Sequence, residues 1–216
     1  SEPQGDYIRT FVDDKGITQY QFRDTNGEMK EISQKYYEAI KPETSGLSEK
    51  EIALFYGKML EDTAGRGLDK TGIVCKERRC HVYLASDTDE HVYEFSKPDE
   101  KGEVKLSIYY EGDGEVDQYK KGEPKNLESF KQVKRIKFDS NGAVRLITVE
   151  EGKGDDRVIF TYSPDAPNKR MIQFKGSSFI ERDNYKGTFE GIINLDGKKQ
   201  FVILDENGGI VGVSTG

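Results

Sequence analysis

Gln132-Val133-Lys134-Arg135-Ile136-Lys137-Phe138-Asp139-Ser140-Asn141-Gly142-Ala143-Val144-Arg145-Leu146-Ile147-Thr148-Val149 decides the reading of this chain. Two runs of β-forming residues flank Asp-Ser-Asn-Gly. Aspartate caps a type I turn with its own side chain, and Asn or Gly takes the positive-φ position that closes a hairpin. The same Asp-x-x-Gly pattern returns as Asp13-Asp14-Lys15-Gly16, Asp24-Thr25-Asn26-Gly27 and Asp205-Glu206-Asn207-Gly208. Turns of this kind between β-formers predict a meandering antiparallel sheet.

The intervals between the four turns are irregular, so they are not a counted repeat. The pattern resembles the tyrosine-aspartate strand repeats of bacterial surface and toxin-wrapping proteins. The Gly-x-x-x-x-Tyr-x-Tyr-Asp unit of that family does not recur here, and no function is carried over from it.

Working outward, helix is expected only within Lys30–Ala64. Ser48-Glu49-Lys50-Glu51 is a capping box. Behind it Ile52, Phe55, Tyr56, Met59 and Leu60 fall on one helical face, and Gly65 and Gly67 end the helix. A shorter helix near Ser33–Ile40 stops before Pro42. Strands are expected at Tyr7–Val12, Ile17–Phe22 and almost throughout from Thr71 to the C-terminus. The fold class is therefore α+β, mostly antiparallel β-meander with a small N-terminal helical element. Lys120–Asn126, with Gly122 and Pro124 and no large apolar residue, suggests a boundary between a mixed region 1–120 and a β-meander region 121–216. One continuous domain with the helices on one sheet face fits equally well.

Composition narrows the function. Eleven Phe and 12 Tyr among 216 residues exclude full disorder. No apolar stretch approaches the length of a membrane span. A net charge of −7 argues against nucleic acid as a partner. The opening Ser1-Glu2-Pro3-Gln4-Gly5 looks like a mature chain after signal removal, with an upstream lipid anchor as an option.

Cys75 and Cys80 are separated by four polar residues and flanked by β-formers, which reads as a hairpin with a four-residue loop. They would then face each other across two strands, within disulfide reach. A disulfide implies an oxidising, extracytoplasmic compartment.

Other chemistry is thin. Cys75, Cys80, His81 and His91 do not match zinc-ligand spacing. His91 is expected opposite the region of Ser86, far from His81, and both histidines are expected to face solvent. Replacing both should then leave folding unchanged. No phosphate loop, dinucleotide fingerprint or nucleophile elbow is present. The run Glu111–Asp117 lacks the glycine and glutamate of a calcium loop and reads as a solvated acidic turn. No metal or cofactor is implied.

Two basic clusters stand out against the acidic balance: Lys76, Arg78 and Arg79 on the cysteine hairpin, and Lys131, Lys134, Arg135 and Lys137 before Asp139. They are candidate docking residues for an acidic partner, against a plainer role as lysines that guard sheet edges.

The leading expectation is a non-enzymatic, extracytoplasmic and bacterial binding module that recognises a protein or glycan through its sheet or loops. A carboxylate-pair hydrolase with a cleft in the sheet is the first alternative. A cytosolic acidic partner-binding protein, such as a toxin neutraliser, is the second. The cysteine reading is checked by intact mass. Denatured, unreduced protein should take up no alkylating agent, and reduction should expose two thiols. Two thiols alkylated without reduction would remove both the bridge and the compartment argument.

Overall fold

Asp-x-x-Gly turns divide the chain into strands at five places in the computed structural model, which describes residues 7–85, 90–111, 132–152, 157–164 and 169–213. At Asp13, Asp24, Asp99, Asp139 and Asp205 the bonding is the same. One carboxylate oxygen accepts the main-chain N–H groups of the second and fourth residues that follow, at 2.8–2.9 Å. The closing glycine has φ between 77° and 85°, where a side chain is disfavoured. Asp99-Glu100-Lys101-Gly102 belongs to this set although its sequence reads only as a charged turn.

The chain forms two compact units, one with the described residues up to Lys97 and one with those from Pro98 on. The segment 120–126, where the sequence suggests a boundary, lies outside the described residues.

In the first unit β1 (Ile8–Val12), β2 (Thr18–Arg23) and β3 (Met29–Ile32) form an antiparallel sheet in sequence order. Two helices follow, α1 (Gln34–Ile40) and α2 (Glu49–Thr63), and then β4 (Leu68–Lys76), β5 (Arg79–Leu84) and β6 (Glu90–Phe95), a second antiparallel set. Ser33 caps α1, and the capping box of Ser48 and Glu51 starts α2 as expected. The α2 helix is buried at Ile52, Ala53, Leu54, Phe55, Tyr56 and Met59, more than one stripe. It has β-structure on two sides. Phe55 stacks on Phe95 of β6 with centroids 5.3 Å apart. A Cβ at Gly57 would touch the Phe22 ring of β2 at 3.6 Å.

The second unit is a meander of β7 (Val104–Glu111), β8 (Gln132–Phe138), β9 (Val144–Glu151), β10 (Val158–Tyr162), β11 (Met171–Phe174), β12 (Ser177–Glu181), β13 (Phe189–Leu195), β14 (Lys198–Leu204) and β15 (Ile210–Val213). Each strand pairs antiparallel with the next. Without a helix among its described residues, this sheet covers its apolar face by curling. Phe160 on β10 and Phe189 on β13 have ring centroids 6.1 Å apart. A flat sheet would hold those strands about 14 Å apart. Inside the curl lie Ile172, Phe179, Val202 and Leu204, all fully buried. The α+β meander is thus as expected, with two strands the sequence reading did not find, β3 and β12.

One ion pair closes the curl. The Arg170 guanidinium lies 5.6 Å and 5.3 Å from the ring centroids of Phe160 and Phe189. It donates to Glu181 at 2.8 Å and to Glu206 at 2.6 Å. Gly187 N–H also donates to Glu181, at 2.9 Å. Hydrogen bonds from Arg170, opposed by burial and reinforced by Gly187, lower the Glu181 carboxyl to about 2. A depressed folded-state value contributes stability above the unfolded value near 4.5, and that stability is lost as pH falls toward 2. Glu181→Gln should therefore cost about 2–3 kcal/mol at pH 7. The difference from wild type should shrink steadily between pH 4.5 and 2, as read by urea melts across that range.

Candidate functional site

The three-stranded sheet is too narrow to cover α2 completely. Beyond β3 it leaves a cleft of about 660 Å³, a size usual for ligand pockets. One wall is Lys30, Glu31 and Ile32 of β3 with the cap Ser33 and Tyr36 of α1; the other is Ala53, Gly57, Leu60 and Glu61 of α2 with Ala64. Those α2 residues repeat at helical spacing on one face. Three of the wall residues, Ala53, Gly57 and Ala64, are small, and this opens the space.

Several polar groups of the cleft are bonded to one another. Tyr36 donates its hydroxyl to Thr63 at 2.8 Å, and Thr63 donates to the Met59 carbonyl at 2.8 Å. Burial raises the Tyr36 hydroxyl despite that bond, so it stays neutral. Lys30 pairs with Asp24 at 3.3 Å, and Lys58 with Glu61 at 3.6 Å. Burial pushes the Asp24 carboxyl up, but hydrogen bonds from Glu28, Lys30 and Asn26 outweigh it and leave the group below its usual value. Asp24 is a poor proton donor near neutral pH as a result. Among the described residues the cleft lining contains no histidine or cysteine.

The cysteine hairpin has a different geometry from its expected four-residue loop. Cys75 and Cys80 are bonded and directly opposed, with Cα atoms 4.1 Å apart. Lys76 opposes Arg79, so the turn is only Glu77-Arg78, with φ of 48° and 67°. Two non-glycine residues in the left-handed region cost roughly 1–2 kcal/mol each. Contacts fix the turn in place. Arg78 pairs with Glu51 at 2.5 Å and donates to the Ser96 carbonyl at 2.9 Å. Glu77 N–H reaches Glu43 at 3.3 Å.

The candidate basic residues are therefore distributed as follows. Arg78 and Arg79 are held by Glu51 and Glu94, while Lys76 is exposed. Arg135 pairs with Glu150 at 2.5 Å and Lys137 with Glu103 at 3.9 Å. Lys134 is half-buried, and Lys131 lies outside the described residues. The β8 strand pairs on both sides, so Lys134, Arg135 and Lys137 guard no sheet edge.

The histidine expectations fail. His81 and His91 are 7% and 4% exposed, not solvent-facing. His91 opposes Val82, next to His81, because β6 begins at Glu90 opposite Tyr83 of β5. Their rings point to opposite faces, as strand alternation requires. His81 Nδ1 lies 3.4 Å from Glu90, and His91 Nδ1 lies 3.4 Å from the Tyr93 hydroxyl, which donates to Asp62 at 2.5 Å. Replacing both would leave buried partners exposed to loss, so the expected neutrality is withdrawn. Among the described residues no group of three or more His, Cys, Asp or Glu could hold a metal ion. The acidic residues 112–117 lie outside that set.

No protein-family model, no curated protein and no solved structure matches this chain. The cleft rests on the geometry alone. The sequence reading missed it because Lys30 to Ile32 fell in the expected helical region. One signal was available: Gly57 interrupts an otherwise strong helix. Gly57→Ala should stabilise the protein by about 0.5–1 kcal/mol, since alanine favours helix and its methyl meets Phe22 at ordinary contact distance. A denaturant melt measures this. A loss of stability would mean that the Cβ is not accommodated.

Proposed function

We propose that this chain is a non-enzymatic, extracytoplasmic binding module that takes a segment of a protein or glycan into the cleft between β3 and α2. The observation that carries this reading is the cleft itself. It is open, part apolar and part polar, and two of its three acids, Asp24 and Glu61, pair with lysines. Such a lining suits binding, which needs shape and a few placed polar groups. The Cys75–Cys80 bond supports the compartment, because such bonds persist in oxidising surroundings. Among the described residues no helix is long and apolar enough to cross a membrane.

Screening the full chain on a glycan array and against a displayed peptide library tests the reading. Ala64 is exposed on the cleft wall, so Ala64→Trp should block the space without unfolding the protein. The best ligand from either screen should bind the variant at least tenfold more weakly at an unchanged melting temperature. Undiminished binding to a folded Ala64→Trp protein would overturn the cleft as the ligand seat.

A further inference from the structure

We propose that the free edge of β3 is a docking strand: an extended peptide of a partner protein adds beside it and lays apolar side chains, at alternate positions, over α2. This deepens the cleft reading and rests on it.

Main-chain geometry comes first. Asp24 N–H donates to the Glu28 carbonyl at 2.9 Å, so those two residues form a hydrogen-bonded pair. Bonded and non-bonded pairs alternate along an antiparallel ladder. In the observed register Arg23 opposes Met29, Phe22 opposes Lys30 and Gln21 opposes Glu31. Phe22 and Lys30 are then bonded to each other, and the N–H and C=O of Glu31 point away from β2. Arg23 confirms the parity, since its N–H donates outward, to the Tyr7 carbonyl at 2.8 Å. Among the described residues no strand pairs with the outer edge of β3. Glu31 borders the cleft, and its side chain, opposite Gln21, is on the other sheet face from Phe22.

Side-chain geometry comes next. Opposed residues share a sheet face, so Lys30 and Ile32 are on the side of Phe22, which faces Gly57 of α2. A strand added beside β3 must send every second side chain the same way, into the cleft. Open edges are commonly blocked by a lysine. Here Lys30 is drawn aside by Asp24 at 3.3 Å. Charge selects the occupant. Lys30 pairs with Asp24 and Lys58 with Glu61, so these charges are already matched within the lining. The seated side chains are thus uncharged, meeting Ile32, Tyr36 and Leu60.

The test uses octapeptides selected from a random phage-displayed library against the full chain, with the best binder synthesised. Proline is tolerated on an edge strand where its missing N–H would face outward. Glu31→Pro should therefore keep the melting temperature but weaken the peptide at least tenfold, while Glu31→Ala stays within threefold. N-methylation of alternate peptide nitrogens should abolish binding, and methylation of the intervening ones should not; this scan decides the matter if Glu31→Pro fails to fold. Apolar residues should recur at every second position of the selected peptides. A peptide that binds Glu31→Pro as well as wild type, or carries its apolar residues at helical spacing, overturns strand addition while Ala64→Trp sensitivity keeps the cleft reading. Recovery of glycan ligands but no peptide overturns it likewise. A solution dimer dissociated by Glu31→Pro would make the occupant a second copy of this chain, and overturns the partner peptide.

Discussion

An aspartate carboxylate accepting two main-chain N–H groups closes five turns in this protein and sets the register of the hairpins β1–β2, β2–β3, β8–β9 and β14–β15. The constraint is local but its reach is long. A hairpin slipped by one residue would exchange the two faces of every strand it joins. At Asp24 the turn fixes which residues of β3 look toward α2 and which main-chain groups look outward. The cleft and its open edge both follow from that one turn. At Asp139 and Asp205 the same device keeps the curled meander in phase, so that phenylalanines fall inside it.

The two units solve the same burial problem in different ways. The meander has no helix to cover it among its described residues, and it curls until strands β10 and β13 share aromatic contacts. Arg170 then seals the rings with a guanidinium neutralised by two glutamates. The first unit places one helix between two sets of strands. Three short strands do not cover a helix of 15 residues, and the uncovered part becomes the cleft. A glycine and two alanines on that wall forgo packing that larger side chains would supply.

Several charges of this acidic chain are paired within the fold. Arg78 holds a two-residue turn of left-handed residues against the start of α2, through the glutamate of the capping box. Arg79, Arg135 and Lys137 each meet a glutamate. The disulfide constrains the same hairpin that Arg78 clamps, so the cysteine bond and the ion pair act on one turn from its two sides.

Features legible in the sequence are those whose causes lie within a few residues. The Asp-x-x-Gly turns, the capping box of α2 and the Cys75–Cys80 pair each join residues no more than five apart in sequence, so spacing alone specifies them. β3 escaped that reading because Met29-Lys30-Glu31-Ile32 has good helix formers and becomes a strand only by pairing with β2. β12 opens on two serines and is a strand only between β11 and β13. Tertiary structure alone decided the burial of His81 and His91, whose environment comes from the register of β6 on β5. It also decided the cleft, whose walls come from two stretches, 22–36 and 53–68, that no local pattern connects. Turn chemistry is short-range and survives in the sequence, whereas a cavity is a property of the distance between elements and exists only once they have packed.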